Sequence, residues 1–197
     1  MKKTLLALSF SSLFFGSTLP NKVPQTIEKY GTLNTDKIPT HIKNRIEKYK
    51  PIILKVAQKT EVDPHLLVAV IWTESHFNNR ARSYIGAVGL MQLTRPTSRY
   101  ICYKLLQNNK SSCQFADFKG FADEFTKNPE RNIHYGATYL KYLLEKFDYQ
   151  KRLATLAYNE GPGRIQRLKE KILSNEVFND HQYYKKVEDR YELIASL

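Results

Sequence analysis

Apolar residues recur at helical spacing along most of the chain, and no long run alternates between apolar and polar residues as a strand would. The first helical pattern starts at Ile42, and behind Pro51 its apolar face contains Ile52, Ile53, Val56 and Ala57. Further helices are predicted after Pro96, from Asn128-Pro129 to about Phe147, over 152–159, after Gly161 and over about 180–195. Residues 107–127 are interpreted as a loop or excursion. The pattern therefore predicts a single, mostly α domain with little or no strand.

The most apolar of these helices is predicted over residues 64–75. Asp63 can cap its first turn, and Pro64 suits the first helical position because the missing N–H has no partner there anyway. The helix is apolar nearly all round, which indicates a buried, central position. Its core-facing stripe consists of Leu67, Val70, Ile71 and Glu74.

Glu74 is therefore an ionisable acid at the end of a stripe that is otherwise apolar. Burial and the negative end of the helix dipole both disfavour the carboxylate, so both raise its pKa. An acid that stays protonated near neutral pH can donate a proton to a substrate. An ordinary surface glutamate near a helix end is the alternative, and these residues alone leave that choice open.

The N-terminus has the pattern of a secretory signal peptide. Lys2 and Lys3 precede an apolar stretch from Thr4 to Phe15 and small residues up to position 18, and the stretch is too short to span a bilayer. A buried N-terminal helix is the alternative. Residues 1–18 are thus predicted to be a signal peptide, residues 19–40 a linker or extended arm, and residues 41–197 the folded domain.

The net charge and the expected export together limit the classes of binding partner that we expect. The formal net charge is +12, and removal of the two lysines of the signal peptide lowers it to +10. Basic proteins bind nucleic acid, anionic membranes or acidic polymers. An exported protein rarely meets nucleic acid, so we expect an anionic polymer outside the cytoplasm, in the periplasm or the medium, and no stable membrane span.

Two cysteines, Cys102 and Cys113, are expected to form a disulfide in that oxidising compartment, with two buried free thiols as the alternative. Two cysteines cannot complete a four-ligand zinc site, no HExxH motif occurs, and the five histidines lack ligand spacing. We expect neither a metal nor another cofactor.

Four blocks in the C-terminal three quarters of the chain resemble those of soluble lytic transglycosylases, which belong to the lysozyme-like superfamily. The second, third and fourth blocks are "NPERNIHYGATYL", "LAYNEGPGRI" and "QYYKKV". The first block is matched without a gap by Glu74-Ser75, Phe77-Asn78, Ala81, Ser83 and Gly86-Ala87-Val88-Gly89-Leu90-Met91-Gln92. Any one block would be weak, but four in the right order over roughly residues 60–190 are specific.

The resemblance implies a lysozyme-like helical domain with an active-site cleft that binds peptidoglycan glycan strands. It implies cleavage of the β-1,4 bond between N-acetylmuramic acid and N-acetylglucosamine without water, which leaves a 1,6-anhydromuramyl end. Glu74 would be the single catalytic acid and base. Among the other carried-over roles, Ser75 would support the helix end, and Tyr183 would close the cleft from the last helix. The residues expected to contact the sugar or to position Glu74 are Ser83, Met91, Gln92, Tyr158 and Asn159.

Simpler roles stay open for three of these residues: core filling for Met91, a helix C-cap for Asn159 and a buried aromatic for Tyr158. The segment between Gln92 and the second block is longer than the family pattern, so it is interpreted as an insertion at the cleft edge or a docking surface for a wall-spanning assembly. A hydrolytic muramidase of the goose-lysozyme kind would need a second carboxylate, for which Glu160 is the candidate. A non-catalytic wall-binding accessory protein is the other alternative.

Overall fold

A computed structural model describes residues 32–109, 113, 117–179 and 181–195. The expected signal peptide and residues 19–31 of the expected linker lie outside these described residues. Within them the chain forms eight α-helices and one π-helical turn, Ile101–Leu105, and no strand beyond isolated bridges of Val88 to Arg82 and Leu93. The helices are α1 Thr40–Thr60, α2 Pro64–Ser75, α3 Arg95–Tyr100, α4 Phe118–Lys127, α5 Pro129–Lys146, α6 Lys151–Glu160, α7 Pro162–Leu173 and α8 Gln182–Ala195.

Helix α2 is the centre of the fold. Every residue from Pro64 to Trp72 is buried, as the all-round apolar pattern predicts. The Asp63 side chain accepts a hydrogen bond from the His65 N–H at 2.9 Å and so caps the first turn. Helix α2 packs mainly against α8 and also against α1, while α5 and α6 complete the surrounding layer. This packing leaves the C-terminal end of α2, with Glu74, at the edge of the core.

Helix α1 is longer than the apolar face behind Pro51 predicts. It runs through Pro51, because its buried stripe continues on both sides of the proline through Ile42, Ile46, Tyr49, Ile53, Val56 and Ala57. The expected linker also ends earlier than residue 40. Leu33 and Ile38 are buried in the main core, and the Asn34 N–H donates to the Ile194 carbonyl at 3.0 Å. Residues 32–39 therefore belong to the folded body.

The interpretation of residues 107–127 as a loop is wrong for their second half, which forms α4. The Asp117 carboxylate accepts from the Gly120 N–H at 2.6 Å and starts the helix. Phe121, Ala122 and Phe125 then bury one face in a second, smaller hydrophobic cluster. Cys102 and Cys113 are joined by a disulfide inside the same cluster.

None of the helices in the described part of the chain has both the length and the apolar character that a membrane crossing requires.

Candidate active site

A cleft of about 390 Å³ opens where residues 83–97 face the C-terminal end of α6. It brings together five of the residues to which the family resemblance gives a role: Glu74, Ser83, Gln92, Tyr158 and Asn159. The rest of its lining consists of Ile85, Ala87, Leu93, Thr94, Thr97, Tyr139, Glu160 and Gly161. The cleft therefore joins the first and third sequence blocks around one acid.

Glu74 is the penultimate residue of α2 and is partly buried. Burial raises its pKa from the ordinary value of 4.5 to about 7, although a hydrogen bond from Tyr183 acts in the opposite direction. The Tyr183 hydroxyl donates to Glu74 Oε1 at 2.6 Å, across 109 positions of sequence. Burial and the nearby Glu74 charge raise the pKa of Tyr183 well above its usual range, so that this tyrosine stays a donor.

The family resemblance implies an activity that depends on protonated Glu74, and such an activity should fall as the pH rises. A group with a pKa of about 7 is mostly protonated at pH 6 and mostly ionised at pH 8. Initial rates of sacculus clearing between about pH 3.5 and pH 9 should therefore show an alkaline limb centred near pH 7. A limb centred near pH 4.5, the ordinary value for glutamate, would contradict the raised pKa.

Tyr158 connects α6 to the turn that follows α2. Its hydroxyl donates to the Met91 carbonyl at 2.9 Å, and its ring lies 5.7 Å from that of Tyr139. Burial, with the Glu74 charge as a further cause, raises the pKa of Tyr158 well above its usual range. The neighbouring Asn159 is exposed in the cleft, and the residue that caps α6 is Gly161. The C-cap alternative therefore does not describe Asn159.

Three further residues of the first block hold backbone in place. Ser75 is buried, and its hydroxyl donates to the Ile71 carbonyl at 3.1 Å within α2. The Ser83 hydroxyl accepts from the Ala87 N–H at 3.0 Å. The Gln92 amide donates to the Gly89 carbonyl at 3.0 Å and to that of Ala81 at 3.3 Å. Ser83 and Gln92 shape the cleft while they line it, whereas Ser75 stabilises the helix end behind Glu74.

Met91 lies in the core and not in the cleft lining. Its side chain is 0% exposed and packs against Gly136 of α5, where an added Cβ would come within 2.3 Å of its sulfur. The carried-over role of Met91 as a side chain that contacts glycan is therefore corrected to core filling, because a methionine fills the space that the glycine leaves. Its backbone still takes part in the site through Tyr158.

Sequence reasoning missed Asn132, which is fully buried on α5. Its amide oxygen accepts from the Met91 N–H at 2.8 Å, and its amide nitrogen donates to the Val88 carbonyl at 3.1 Å. Gly89 makes room for this amide, since a Cβ there would lie 2.2 Å from Asn132 Nδ2. The sequence did contain a signal for its burial. Asn132 lies four positions before Gly136 and eight before Leu140, so it shares the core-facing side of α5 with them.

Glu160 places a second carboxylate in the cleft lining. One of its oxygens pairs with Arg164, one turn further along the chain, and the other lies 3.1 Å from Nε2 of His181. Both oxygens are therefore engaged with basic side chains. A general base for hydrolysis would instead need a carboxylate oxygen free to bind water.

A partly buried acid in the cleft of a helical domain fits the class of lysozyme-like proteins, in which a buried carboxyl is kept protonated near neutral pH. The profile of the Transglycosylase SLT domain matches residues 51–176, and the chain belongs to this family.

Known relatives agree with that assignment. A membrane-bound lytic murein transglycosylase C of Histophilus somni is 31% identical over 138 residues, which cover 66% of this chain and 36% of that protein. The protein of the same name from Haemophilus influenzae is 26% identical over 187 residues, or 91% of this chain and 50% of that protein. The chain thus spans between about a third and a half of the length of these relatives.

A solved structure, that of an inactive mutant of lytic transglycosylase Slt from Pseudomonas aeruginosa, superimposes with a TM-score of 0.58 at 24% identity. The match covers 74% of this chain and 24% of that one. At this identity the likeness concerns the fold alone, and it confirms the expected mostly helical domain with the fold of that transglycosylase.

Proposed function

We propose that this protein is a peptidoglycan lytic transglycosylase. It cleaves the β-1,4 bond between N-acetylmuramic acid and N-acetylglucosamine and leaves a 1,6-anhydromuramyl end. The observation that carries the proposal is Glu74, a partly buried acid with a pKa of about 7 that lines the cleft and is held by Tyr183. Membership of the Transglycosylase SLT family and relatives named lytic murein transglycosylase support the choice of polymer, and the family resemblance implies the bond.

The reaction uses Glu74 twice. In the first step the protonated carboxyl gives its proton to the glycosidic oxygen, and the bond from that oxygen to C1 of the muramyl sugar breaks. In the second step the Glu74 carboxylate takes the proton of the C6 hydroxyl, whose oxygen bonds to C1 and closes the anhydro ring. The acid is thereby returned to its starting state, and no water is consumed.

The geometry suits a proton that is given and then taken back. Tyr183 holds Glu74 Oε1, and among the described residues Oε2 has no hydrogen bond that would compete with the substrate. The C6 hydroxyl belongs to the reacting sugar, so it has the high effective concentration of an intramolecular group. A water molecule lacks that advantage and would need a base of its own.

The mass of the released fragments tests this proposal. Muropeptides from sacculi digested with the purified protein should carry an anhydro end, which is about 18 Da lighter than the hydrolysed end because one water is absent. They should also resist reduction by borohydride. Reducible products of full mass would overturn the transglycosylase reaction and favour a muramidase that uses Glu160.

We further propose that the protein acts outside the cytoplasm, in the periplasm or after secretion. Support comes from Lys2 and Lys3, the apolar stretch from Thr4 to Phe15 and the location of peptidoglycan itself. The formal charge of +12, or +10 without the two lysines of the expected signal peptide, suits attachment to an anionic wall polymer. Beyond the glycan strand, one further partner is proposed: a wall-spanning assembly that docks on the segment 107–127.

A further inference from the structure

Glu160 and His181 connect the end of one active-site helix to the start of another. Glu160 is the last residue of α6, two positions after Tyr158. Its Oε1 lies 3.1 Å from His181 Nε2. His181 directly precedes α8, and its carbonyl accepts the Lys185 N–H at 3.0 Å, which is the first turn of that helix. The pair therefore links the start of α8 to the end of α6, which lines the cleft.

Tyr183, which donates to Glu74, lies in that same first turn. The later turns of α8 have other anchors. Arg190 donates to the Thr73 hydroxyl at 2.8 Å, and the Tyr191 hydroxyl donates to Asp63 at 2.8 Å. In the first turn, polar contacts to other helices include those of His181 with Glu160 and of Tyr183 with Glu74. The Arg152 guanidinium also lies beside the Tyr184 ring, and both tyrosines pack against the main core.

The surroundings of His181 make Glu160 important for the orientation of the imidazole ring. The Nδ1 atom of His181 is buried and has no hydrogen-bond partner among the described residues, so Glu160 supplies the polar contact that orients the ring. The Phe178 ring lies 5.0 Å away, and Arg164 of α7 faces Phe178 and also pairs with Glu160. Without Glu160 a half-buried imidazole would have to find another partner or turn towards water.

We propose that Glu160 and His181 are positioning residues that hold the Tyr183 hydroxyl on Glu74. This inference rests on the proposed function, and it assigns Glu160 a role other than that of a second catalytic carboxylate. When the pair is broken, the first turn of α8 moves, the Tyr183 donor is lost and the Glu74 carboxylate loses its stabilising hydrogen bond.

Two disrupting variants and two matched controls test the proposal in the full chain. Glu160→Ala and His181→Ala break the link, whereas Glu160→Gln keeps an acceptor for the imidazole. Arg164→Ala removes the other partner of Glu160 and leaves the contact between α6 and α8. Each variant is compared with Tyr183→Phe for kcat, KM and the pH at the midpoint of the alkaline limb, and circular dichroism confirms folding.

We expect Glu160→Ala and His181→Ala to lower kcat roughly 10- to 100-fold with little change in KM, because small misplacements of a catalytic group cost this much. Their alkaline limb should move to higher pH, as in Tyr183→Phe, since the lost donor raises the pKa of Glu74. Glu160→Gln should keep most of the activity, and Arg164→Ala should stay within about twofold of the unmodified protein, since it leaves the His181 contact in place.

Three results would overturn the proposal. One is unchanged kcat and pH limb in both disrupting variants. Another is loss of activity in Glu160→Gln as complete as in Glu160→Ala, which would assign proton transfer to Glu160. The third is a limb that moves to lower pH, which would mean that Glu160 acts on Glu74 only as a nearby negative charge. The mass of the products of the unmodified protein tests the reaction itself. Failure of the proposed reaction can therefore be distinguished from failure of the proposed positioning role.

Discussion

The Glu74→Gln variant is expected to fold and to lose glycan cleavage by at least 10²- to 10⁴-fold, the range that positioned acid–base catalysis provides. The amide has the size of the carboxyl and can still accept the Tyr183 hydrogen bond, but it has no proton to give to the glycosidic oxygen. Clearing of purified sacculi measures the loss. Glu170→Gln is the matched control, since Glu170 is exposed on α7 away from the cleft lining. Clearing by Glu74→Gln at the control rate would remove Glu74 from the reaction.

The same substitution should stabilise the fold at alkaline pH. Glu74 has a folded pKa of about 7 against an ordinary value of 4.5, so the folded state binds its proton more tightly than the unfolded state does. The unmodified protein therefore loses stability as the pH rises from 4.5 to 7, by on the order of 3 kcal/mol at about 1.4 kcal/mol for each pH unit. The glutamine has no such dependence. Thermal melting should show Glu74→Gln more stable than the unmodified protein at pH 8 and equal to it near pH 4.

Local signals were sufficient to predict the element that carries the acid. Asp63 and Pro64 mark the start of α2, and the apolar run behind them predicts a buried helix, which the structure confirms. Because Glu74 extends the same stripe, the direction of its pKa shift also follows from the sequence. A helix start and a helix face depend on residues within one or two turns, so a single sequence contains them.

The partners of that acid depend on distant contacts. Tyr183 could be assigned only through the family resemblance, since 109 positions separate it from Glu74. By its residue type alone, Asn132 cannot be told from the other polar residues of an amphipathic helix. In the structure its side chain is buried and hydrogen-bonds to the backbone of Val88 and Met91. The link between Glu160 and His181 forms because the end of α6 packs beside the start of α8. No local pattern encodes such pairings.

Helix α4 was missed for a different reason. Phe118, Phe121, Ala122 and Phe125 have helical spacing, but Gly120 lies among them and the preceding segment is polar. Burial of Phe121 and Phe125 in the cluster around the disulfide offsets the low helix propensity of the glycine. Tertiary packing therefore decided the structure of this segment.

The largest loss of stability is expected for Asn132→Ala. The Asn132 side chain joins α5 to the turn between Gly86 and Gln92, which shapes one side of the cleft. Alanine would leave the Met91 N–H buried without its acceptor, whereas the Val88 carbonyl would keep the Leu93 N–H at 3.0 Å. One orphaned donor costs about 1–3 kcal/mol, and the lost amide packing and second hydrogen bond add about 1 kcal/mol.

The free energy of unfolding of Asn132→Ala should therefore fall by about 2–4 kcal/mol, which corresponds to a melting temperature lowered by roughly 5–15 °C for a chain of this size. Asn44→Ala is the control, because Asn44 is an exposed helical asparagine on α1 and its loss should change stability by less than about 0.5 kcal/mol. Urea denaturation of both variants, followed by circular dichroism, measures the difference. Equal stability of the two variants would mean that Asn132 does not hold the turn, and the turn would then depend on Tyr158 and its bond to the Met91 carbonyl.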